Sequence, residues 1–262
     1  MTKKEFAERV AEIVGGKVTA VEKANGVILT GVVCGEEAIR PTVYLDQFYE
    51  DGIEVEECAE EVRGIVERST IPMPDLNRIY DFEKIKGDIR LRLYNKATKA
   101  DIYRSAFAYG FEDLIIVPYL DNVIPNGSIK ITASLLEIWG VTEDELFEEM
   151  SGAGDYEILS LNSIVAEMAR KAGKEFVIDE CCPMFIVTNR QRCYGAYGVI
   201  ALKDKLKEIF PSGITVIPSS VHECIVIPKD SADIDVVTSM VREVNANCVS
   251  PEEVLGSHAY EF

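Results

Sequence analysis

The chain has 262 residues, of which 47% are hydrophobic and 27% are charged, and its formal net charge is −18. This length and composition exclude a disordered chain, a fibrous repeat and a disulfide-stapled miniprotein. The negative charge repels phosphate backbones and anionic lipid headgroups, so direct binding to nucleic acids or membranes is not expected.

Helix and hairpin signals alternate in the first quarter of the chain. A helix is predicted over residues 3–14, because Thr2 and Glu5 match a capping box. Its predicted buried face consists of Phe6, Val10, Ile13 and Val14. The dipeptide Asn25-Gly26 predicts a tight turn between two strands. The next predicted elements are a strand over 42–45, a turn over 46–52 and a helix over 55–68.

Two prolines mark residues 69–76 as the best candidate for a linker, since proline removes a backbone donor and disfavours helix at the residue before it. The elements predicted beyond it are a short helix over 82–85, a strand over 88–95, a helix over 99–107, a hairpin of 114–120 with 128–133 across Asn126-Gly127, and a helix from the Thr142 capping box to residue 150. Residues 151–155 are predicted to form a loop.

Three strands are predicted in the last part of the chain, over 184–189, 214–217 and 221–227, because each combines β-branched or aromatic residues with turn formers at its ends. The stretch 194–202 suits either a hairpin partner for the first of these strands or a buried helix weakened by two glycines, and the hairpin is favoured. The other predicted elements are helices over 162–171, 203–210 and 232–245 and a capping box from Ser250 to Glu253.

Hairpins interspersed with helices indicate an α+β fold with a mainly antiparallel sheet, arranged in one or two lobes. The predicted division is an N-terminal lobe of helices and hairpin over 1–68, a linker over 69–76, a middle α+β segment over 77–154 and a C-terminal α+β lobe over 155–262.

Seven cysteines, none in a Cys-x-x-Cys pair, fit a reducing compartment better than a disulfide framework. The N-terminus has charges in place of an apolar signal core, and the longest apolar runs are too short to cross a bilayer. The sequence therefore predicts a cytoplasmic protein that is neither exported nor membrane-embedded. No cofactor is predicted, because neither Gly15-Gly16 nor residues 152–154 match a phosphate loop or a dinucleotide fingerprint.

Five blocks of sequence carry a resemblance to a known family. They are RPTVYLDQFYEDG, LLEIWGVTEDELFEEM, MFIVTNRQRCYGAYGVI, VIPSSVHECIVIP and VREVNANCVSPEEVL. In these blocks and their order, from the first helix almost to the C-terminus, the chain resembles the domain-of-unknown-function family DUF5688, of a kind common in clostridial genomes. The resemblance implies an intracellular, single-chain bacterial protein and brings no reaction, cofactor or catalytic residue.

A cysteine and histidine pair is the candidate for covalent chemistry. His222 and Cys224 lie two residues apart on a predicted strand, so their side chains share a face and an imidazole could meet a thiol. With Cys193, they are the candidate catalytic residues. The structural alternative is favoured, because serines before a strand suit a turn and no orienting group or oxyanion donor can be placed.

A polar rim at two strand ends is the candidate ligand or partner site. It consists of Asn189, Arg190, Arg192, Ser220 and His222. These residues share a rim if the two strands lie in one sheet with matching ends. Paired guanidiniums suit an anion, and the alternative is a solvated turn whose arginines balance nearby carboxylates. No metal site is predicted, because the chain has two histidines and no paired-cysteine spacing.

Tyr44, Phe48 and Tyr49 lie among acidic residues and are candidates for an exposed contact surface, the alternative being a place in the core. The helix over 55–68 has an acidic outer side, which is either simply solvated or a docking surface for a basic partner.

Three functions are compatible with these patterns. The favoured one is a non-enzymatic interaction protein that presents acidic, partly aromatic surfaces to another protein. The alternatives are a cysteine- and histidine-dependent hydrolase or transferase of the C-terminal lobe, and a nucleic-acid mimic whose carboxylates take the place of phosphates.

Overall fold

The computed structural model describes residues 1–23, 27–35, 41–69, 75–96, 110–124, 127–174 and 183–262. These residues form an α+β fold in which every described strand pair is antiparallel. The predicted fold class is therefore confirmed, with three sheets in place of one. Within the same residues, no helix has the length and apolar character that crossing a membrane requires.

The N-terminal part is a three-stranded sheet packed against helices. Its elements are α1 (Lys3–Val14), β1 (Lys17–Glu22), β2 (Ile28–Val33), β3 (Thr42–Tyr44), α2 (Asp46–Glu50) and α3 (Val55–Arg68). The strand order is β1-β2-β3, and α1 lies against both the sheet and α3. The predicted α1, α3 and pairing of β1 with β2 are confirmed, and the turn at Asn25-Gly26 lies outside the described residues.

Two details of this part differ from the predictions. Ile13 is exposed, and Ala7 and Ala11 join Phe6 and Val10 in the buried face of α1. The buried stripe thus follows positions i, i+1, i+4 and i+5. Residues 46–50 form α2 where the sequence predicts a turn.

The middle part is built around the long strand β6. Its elements are α4 (Leu76–Ile79), α5 (Phe82–Ile85), β4 (Ile89–Asn95), β5 (Gly110–Phe111), β6 (Leu114–Ile124), β7 (Gly127–Lys130), α6 (Ala133–Trp139) and α7 (Glu143–Met150). Strand β6 pairs with β4 on one side and with β5 and β7 on the other. The helix predicted over 99–107 lies outside the described residues, as does most of the predicted linker, since residues 70–74 are not described.

The C-terminal part is a five-stranded sheet with helices between its strands. Its elements are β8 (Tyr156–Ser160), α8 (Leu161–Lys171), β9 (Phe185–Asn189), α9 (Gly198–Ala201), α10 (Lys203–Ile209), β10 (Ile214–Ser220), β11 (Glu223–Pro228), α11 (Ile234–Asn247) and β12 (Tyr260–Glu261). The strand order is β12-β10-β11-β9-β8. Strand β8 is not predicted from the sequence, and it pairs with β9 along its whole length.

The hairpin predicted over residues 194–202 is wrong. These residues form a turn followed by the short helix α9, and the partners of β9 are β8 and β11. The physical reason is close backbone approach at Gly195, whose N–H donates to the carbonyl oxygen of His222 over 3.0 Å. A Cβ at this position would lie 2.5 Å from the backbone nitrogen of Asn189. The glycines therefore serve tight packing and not a hairpin turn.

The capping box predicted from Ser250 to Glu253 is also wrong. Residues Pro251–Glu253 form a single 3₁₀ turn, and the side chain of Ser250 makes no capping hydrogen bond. The N–H of Glu253 donates to the backbone carbonyl oxygen of Ser250 over 2.8 Å, and the Glu253 carboxylate lies 3.2 Å from Nε2 of His222, so both halves of the predicted box have other partners.

Two hydrophobic clusters form the core of the described residues. The smaller one draws on residues 6–62 of the N-terminal part, with Phe6, Leu45 and Val62 fully buried. The larger one draws on residues 79–260, so the second and third sheets share it. Whether the predicted segments fold as separate units stays a prediction.

Candidate functional site

The strand that carries the predicted polar turn lies beside the strand that follows His222. β9 and β11 pair antiparallel, with Val187 opposite Cys224, so the end of β9 meets the start of β11. The hydroxyl of Thr188 donates to the carbonyl oxygen of His222 over 2.9 Å and closes this junction. The loop of residues 190–194 and His222 are therefore neighbours.

The side chain of Asn189 fixes the backbone of this loop through two hydrogen bonds. Its side-chain Nδ2 donates to the carbonyl oxygen of Cys193 over 2.8 Å, and its Oδ1 accepts from the Cys193 backbone N–H over 3.1 Å. Arg192 and Tyr194 have a φ of 52°, a left-handed conformation that costs a non-glycine residue free energy. The buried amide of Asn189 thus has a structural role that holds an unfavourable backbone in place.

His222 is held between a backbone amide and a carboxylate. Its Nδ1 accepts from the N–H of Tyr194 over 3.0 Å, so the ring proton is on Nε2, which lies 3.2 Å from an oxygen of Glu253. The backbone N–H of His222 donates to the hydroxyl of Ser220 over 3.1 Å. Sequence reasoning missed Glu253, because it lies 31 residues away and nothing local points to it.

The two arginines of the predicted rim point to solvent. Arg190 and Arg192 are exposed, and their hydrogen bonds in the described residues are backbone ones, to Asp155 and Asn189. No carboxylate of the described residues forms an ion pair with either guanidinium. The structure therefore places Ser220 in a hydrogen bond with His222 and Asn189 in hydrogen bonds with Cys193 of the neighbouring loop, and it leaves the arginine side chains outside this group.

The candidate thiols are poorly placed for nucleophilic chemistry. Cys224 is fully buried, its sulfur lies 3.9 Å from the carbonyl oxygen of Ala196, and burial raises its pKa to about 12. Cys193 is at an exposed position, yet desolvation of its thiol raises its pKa. Neither sulfur has a hydrogen bond to the ring of His222, whose nitrogens bond to Tyr194 and Glu253. A reactive thiolate needs a lowered pKa, so the geometry gives no support to these nucleophiles.

Arg92 is a buried charge that sequence reasoning missed. Arg92 is 6% exposed, and its Nη2 donates a hydrogen bond to Oδ1 of Asp121 over 2.6 Å. The guanidinium carbon lies 3.9 Å from the ring centroid of Tyr194 and 4.2 Å from that of Tyr119. Burial raises the pKa of the neighbouring Tyr94 well above its ordinary value, so this ring stays neutral. The alternation of residues 88–95 places Arg92 on the same strand face as Arg90, and Tyr194 of the other sheet's loop covers it together with Tyr119 and Asp121 of β6.

A cleft of about 900 Å³ opens above this arginine, between the β6–β7 hairpin and the loop of residues 190–194. We call it the Arg92 cleft. The side chains that line it include Arg92, Asp121, Ser128, Gln191, Cys193 and Tyr194. The Nε atom of Arg92 has no hydrogen-bond partner among the described residues. The described lining is polar and aromatic, and its thiol, Cys193, has a raised pKa.

A second feature is the acidic face of α3, which we define as Glu56, Glu57, Glu60, Glu61 and Glu67. All five side chains belong to exposed residues, and at 100° per residue they fall within an arc of about 140°. None forms an ion pair with a described basic residue. Two basic residues share the helix, and neither forms an ion pair with these carboxylates within the described residues: Arg63 donates to the carbonyl oxygen of Ile13, and Arg68 lies in the last turn.

The aromatic residues near this helix are not freely exposed. Phe48 and Tyr49 pack against the N-terminal core, and the ring of Tyr49 meets that of Phe6 at 5.7 Å. The Nζ of Lys23 lies 3.8 Å from the ring centroid of Tyr44. These contacts agree with the core alternative for Phe48 and Tyr49 and leave the surface acidic rather than aromatic.

One group of donors for a metal ion lies elsewhere in the described residues. Glu112, Asp113 and His258 offer two carboxylates and an imidazole whose ligand atoms all lie within 4.8 Å of one another. Sequence reasoning missed this group because His258 is far from the other two in the chain.

Comparison with known proteins bears on the family alone. Neither the curated proteins nor the solved structures gave a match to this chain. The family model described as "Family of unknown function (DUF5688)" matches residues 1–262, which confirms the resemblance seen in the sequence blocks. The chain therefore belongs to the family of unknown function DUF5688.

Proposed function

We propose that the protein is a non-enzymatic interaction protein whose acidic face of α3 binds a basic surface of another protein. The observation that carries this proposal is a set of five exposed carboxylates on one helix with no ion-pair partner in the described residues. The net charge of −18 adds a long-range field that steers basic partners toward the chain.

The arrangement costs the isolated helix free energy. Glu56 and Glu60 are four residues apart, as are Glu57 and Glu61, and like charges at this spacing destabilise a helix by roughly 0.2–0.5 kcal/mol per pair. A docked basic surface adds attractions to these carboxylates that offset the repulsions between them. Binding then recovers free energy that the free protein loses.

The alternatives have less support. A hydrolase or transferase that uses Cys193, Cys224 or His222 needs an activated thiol, whereas both thiols have raised pKa values. A nucleic-acid mimic needs a long continuous stripe of charge, and the 14 residues of α3 extend over only about 21 Å. Both alternatives remain predictions from the sequence.

The setting of this function is also a proposal. We infer a cytoplasmic protein that contacts neither nucleic acid nor membrane directly and whose binding to its partner needs no cofactor. The support is the negative charge and the free state of all five described cysteines, Cys34, Cys58, Cys193, Cys224 and Cys248, which fits a reducing compartment.

The test is capture of partners from a lysate of the organism that encodes the chain, with chemical cross-linking. The bait is the full chain, compared with a variant that carries Glu56→Gln, Glu57→Gln, Glu60→Gln and Glu61→Gln. We expect a basic protein to be recovered in stoichiometric amount by the wild type, lost at high salt, and lost with the variant.

A matched control changes four dispersed exposed carboxylates, with Glu148→Gln, Asp204→Asn, Glu208→Gln and Glu243→Gln. It removes the same charge and leaves α3 intact, so it should retain the partner. The proposal fails if the α3 variant captures the same proteins as the wild type, if both variants lose them equally, or if the wild type is recovered alone.

A further inference from the structure

We propose that Glu112, Asp113 and His258 bind a zinc ion. Glu112 and Asp113 form the turn between β5 and β6, and His258 lies just before β12, so two distant segments of the chain meet at this point. The inference is independent of the acidic face of α3 and of any partner that binds there.

The spacing of the donor atoms suits a shared ion. The Nε2 of His258 lies 3.5 Å from an oxygen of Glu112, and its Nδ1 lies 3.8 Å from an oxygen of Asp113. Both separations exceed ordinary hydrogen-bond lengths of about 2.7–3.2 Å. Bonds of about 2.0–2.1 Å to a tetrahedral zinc ion place neighbouring donor atoms about 3.3 Å apart. A single ion binds only one of the two ring nitrogens, so one of these two distances is a ligand–ligand separation, while one donor atom from each residue lies within 4.8 Å of the others. Small movements of these partly exposed side chains bring the three donors to the spacing of a zinc site.

A buried tyrosine supports the donors from behind. The hydroxyl of Tyr260 donates to Oδ1 of Asp113 over 2.7 Å, which leaves Oδ2 on the side of His258. The ring centroid of Tyr260 lies 4.4 Å from that of His258, so the same residue packs against the imidazole. Tyr260 is 2% exposed, so it contacts Asp113 and His258 from the buried side. A group that orients a ligating carboxylate in this way is typical of the outer shell of metal sites.

The ligand types indicate which ion would bind. An imidazole favours zinc and its neighbours in the first transition row over magnesium and calcium, which prefer all-oxygen sites. Two carboxylates and a neutral imidazole carry two negative charges, which a divalent cation neutralises. All three side chains are partly exposed, so water has access to a fourth position. Three protein ligands with one water form the open type of zinc site.

The experiment is titration of tag-free, metal-stripped full chain with ZnCl₂ by calorimetry, with CoCl₂ as a spectroscopic probe. We expect one equivalent to bind, with a cobalt spectrum free of the intense thiolate charge-transfer band that cysteine ligands produce. His258→Ala and Glu112→Gln should each weaken zinc affinity by at least about 100-fold, and Tyr260→Phe, which keeps the ring, by about 10-fold or more. MgCl₂ should not compete.

The matched control is His222→Gln, which removes the other histidine of the chain together with its contact to Glu253. It should leave zinc affinity unchanged. Glu112 is exposed, and no hydrogen bond joins its side chain to the core among the residues that the structure describes, so Glu112→Gln remains informative if His258→Ala does not fold. The proposal is overturned if the wild type takes up no zinc, if a thiolate band dominates the cobalt spectrum, or if His222→Gln weakens binding as much as Glu112→Gln does.

Discussion

The guanidinium carbon of Arg92 lies 3.9 Å from the ring centroid of Tyr194, across the junction of two sheets. Arg92 belongs to β4 of the second sheet, and Tyr194 belongs to the loop that follows β9 of the third. Asp121 and Tyr119 complete the surroundings of the guanidinium from β6. Because cation–π contacts and ion pairs strengthen when water is removed, this side chain helps to hold the loop of residues 190–194 against the second sheet, together with the contact between the rings of Tyr94 and Tyr194.

The first prediction concerns this arginine. Arg92→Met should lower the free energy of unfolding by about 3 kcal/mol, because it leaves the Asp121 carboxylate in a partly buried position without its cation. Urea denaturation measures the loss. Adding Asp121→Asn to the variant should recover part of it, since the uncompensated charge is then removed as well.

Arg190→Met is the matched control, because Arg190 is exposed and has no ion pair in the described residues. Its effect on the free energy of unfolding should stay within about 0.5 kcal/mol. Equal losses for Arg92→Met and Arg190→Met would contradict the structural role of Arg92.

The second prediction concerns Gly195. A Cβ there would lie 2.5 Å from the backbone nitrogen of Asn189 and 2.9 Å from the carbonyl oxygen of His222, and neither atom can yield without moving a strand end. Gly195→Ala should therefore cost about 3 kcal/mol of unfolding free energy, measured by urea denaturation. Gly87→Ala is the control, because a Cβ at that position meets nothing within 4 Å. A neutral Gly195→Ala would show that β9 and β11 are packed less closely at this junction than the structure has them.

Sequence patterns predicted the local elements of this fold better than its long-range contacts. The capping boxes at Thr2 and Thr142 and the strands around Phe185 and Ile225 follow from signals that lie within a few residues of one another. At Gly195 the same approach fails, because the glycine is required by contacts with Thr188, Asn189 and His222 that belong to other strand ends. Local periodicity does not predict close backbone contacts between segments that are distant in the sequence.

The candidate site shows the same difference between local features, which sequence patterns predict, and long-range contacts, which they do not. The positions of the two strand ends predict that residues 189–193 lie close to His222, and they do so in the structure. Arg92, Glu253 and the group around His258 do not follow, since each acquires its surroundings from segments tens of residues away. An alternating strand pattern predicts that Arg92 faces solvent, whereas Tyr194 of the covering loop and Tyr119 and Asp121 of β6 bury it.

The third prediction concerns thiol reactivity. Cys193 and Cys248 are exposed, whereas Cys58 and Cys224 are fully buried. Iodoacetamide near neutral pH should label the exposed pair in the native protein and the buried pair only after unfolding, with sites assigned by mass spectrometry. Selective native labelling of Cys224 would contradict this and would revive the cysteine- and histidine-dependent enzyme.

The fourth prediction is loss of stability at alkaline pH. Burial raises the pKa of Cys58 to about 11 and that of Cys224 to about 12, whereas a thiol in an unfolded chain has a pKa of about 8.5. Below about pH 8.5 both states keep the proton and stability is unaffected. As pH rises from there toward 11 or 12, the unfolded state loses protons that the folded state retains. The free energy of unfolding should then fall by up to about 1.4 kcal/mol per pH unit for each thiol.

Urea midpoints between pH 8 and pH 10.5 test this slope. Cys224→Ala lowers stability at every pH because it leaves a small cavity, but it should make the alkaline slope shallower. An identical slope in wild type and Cys224→Ala would show that the buried thiol does not contribute to the pH dependence.

The last prediction separates stability from binding on the acidic face of α3. Glu61→Lys replaces a repulsion with an attraction to Glu57, four residues earlier, in the orientation that favours helix stability. No other charged residue lies three or four positions from residue 61 within α3, since positions 58, 64 and 65 are Cys58, Gly64 and Ile65. The free energy of unfolding should rise by about 0.5 kcal/mol at low ionic strength, with the gain shrinking at high salt. Glu61→Gln should give about half the gain, because it removes the repulsion without adding the attraction. Both variants should bind the basic partner more weakly than the wild type does. Partner binding would then require glutamates on α3 that lower the stability of the free protein. A gain in the free energy of unfolding that does not depend on salt, or stronger partner binding by Glu61→Lys, would contradict the electrostatic role of the acidic face of α3.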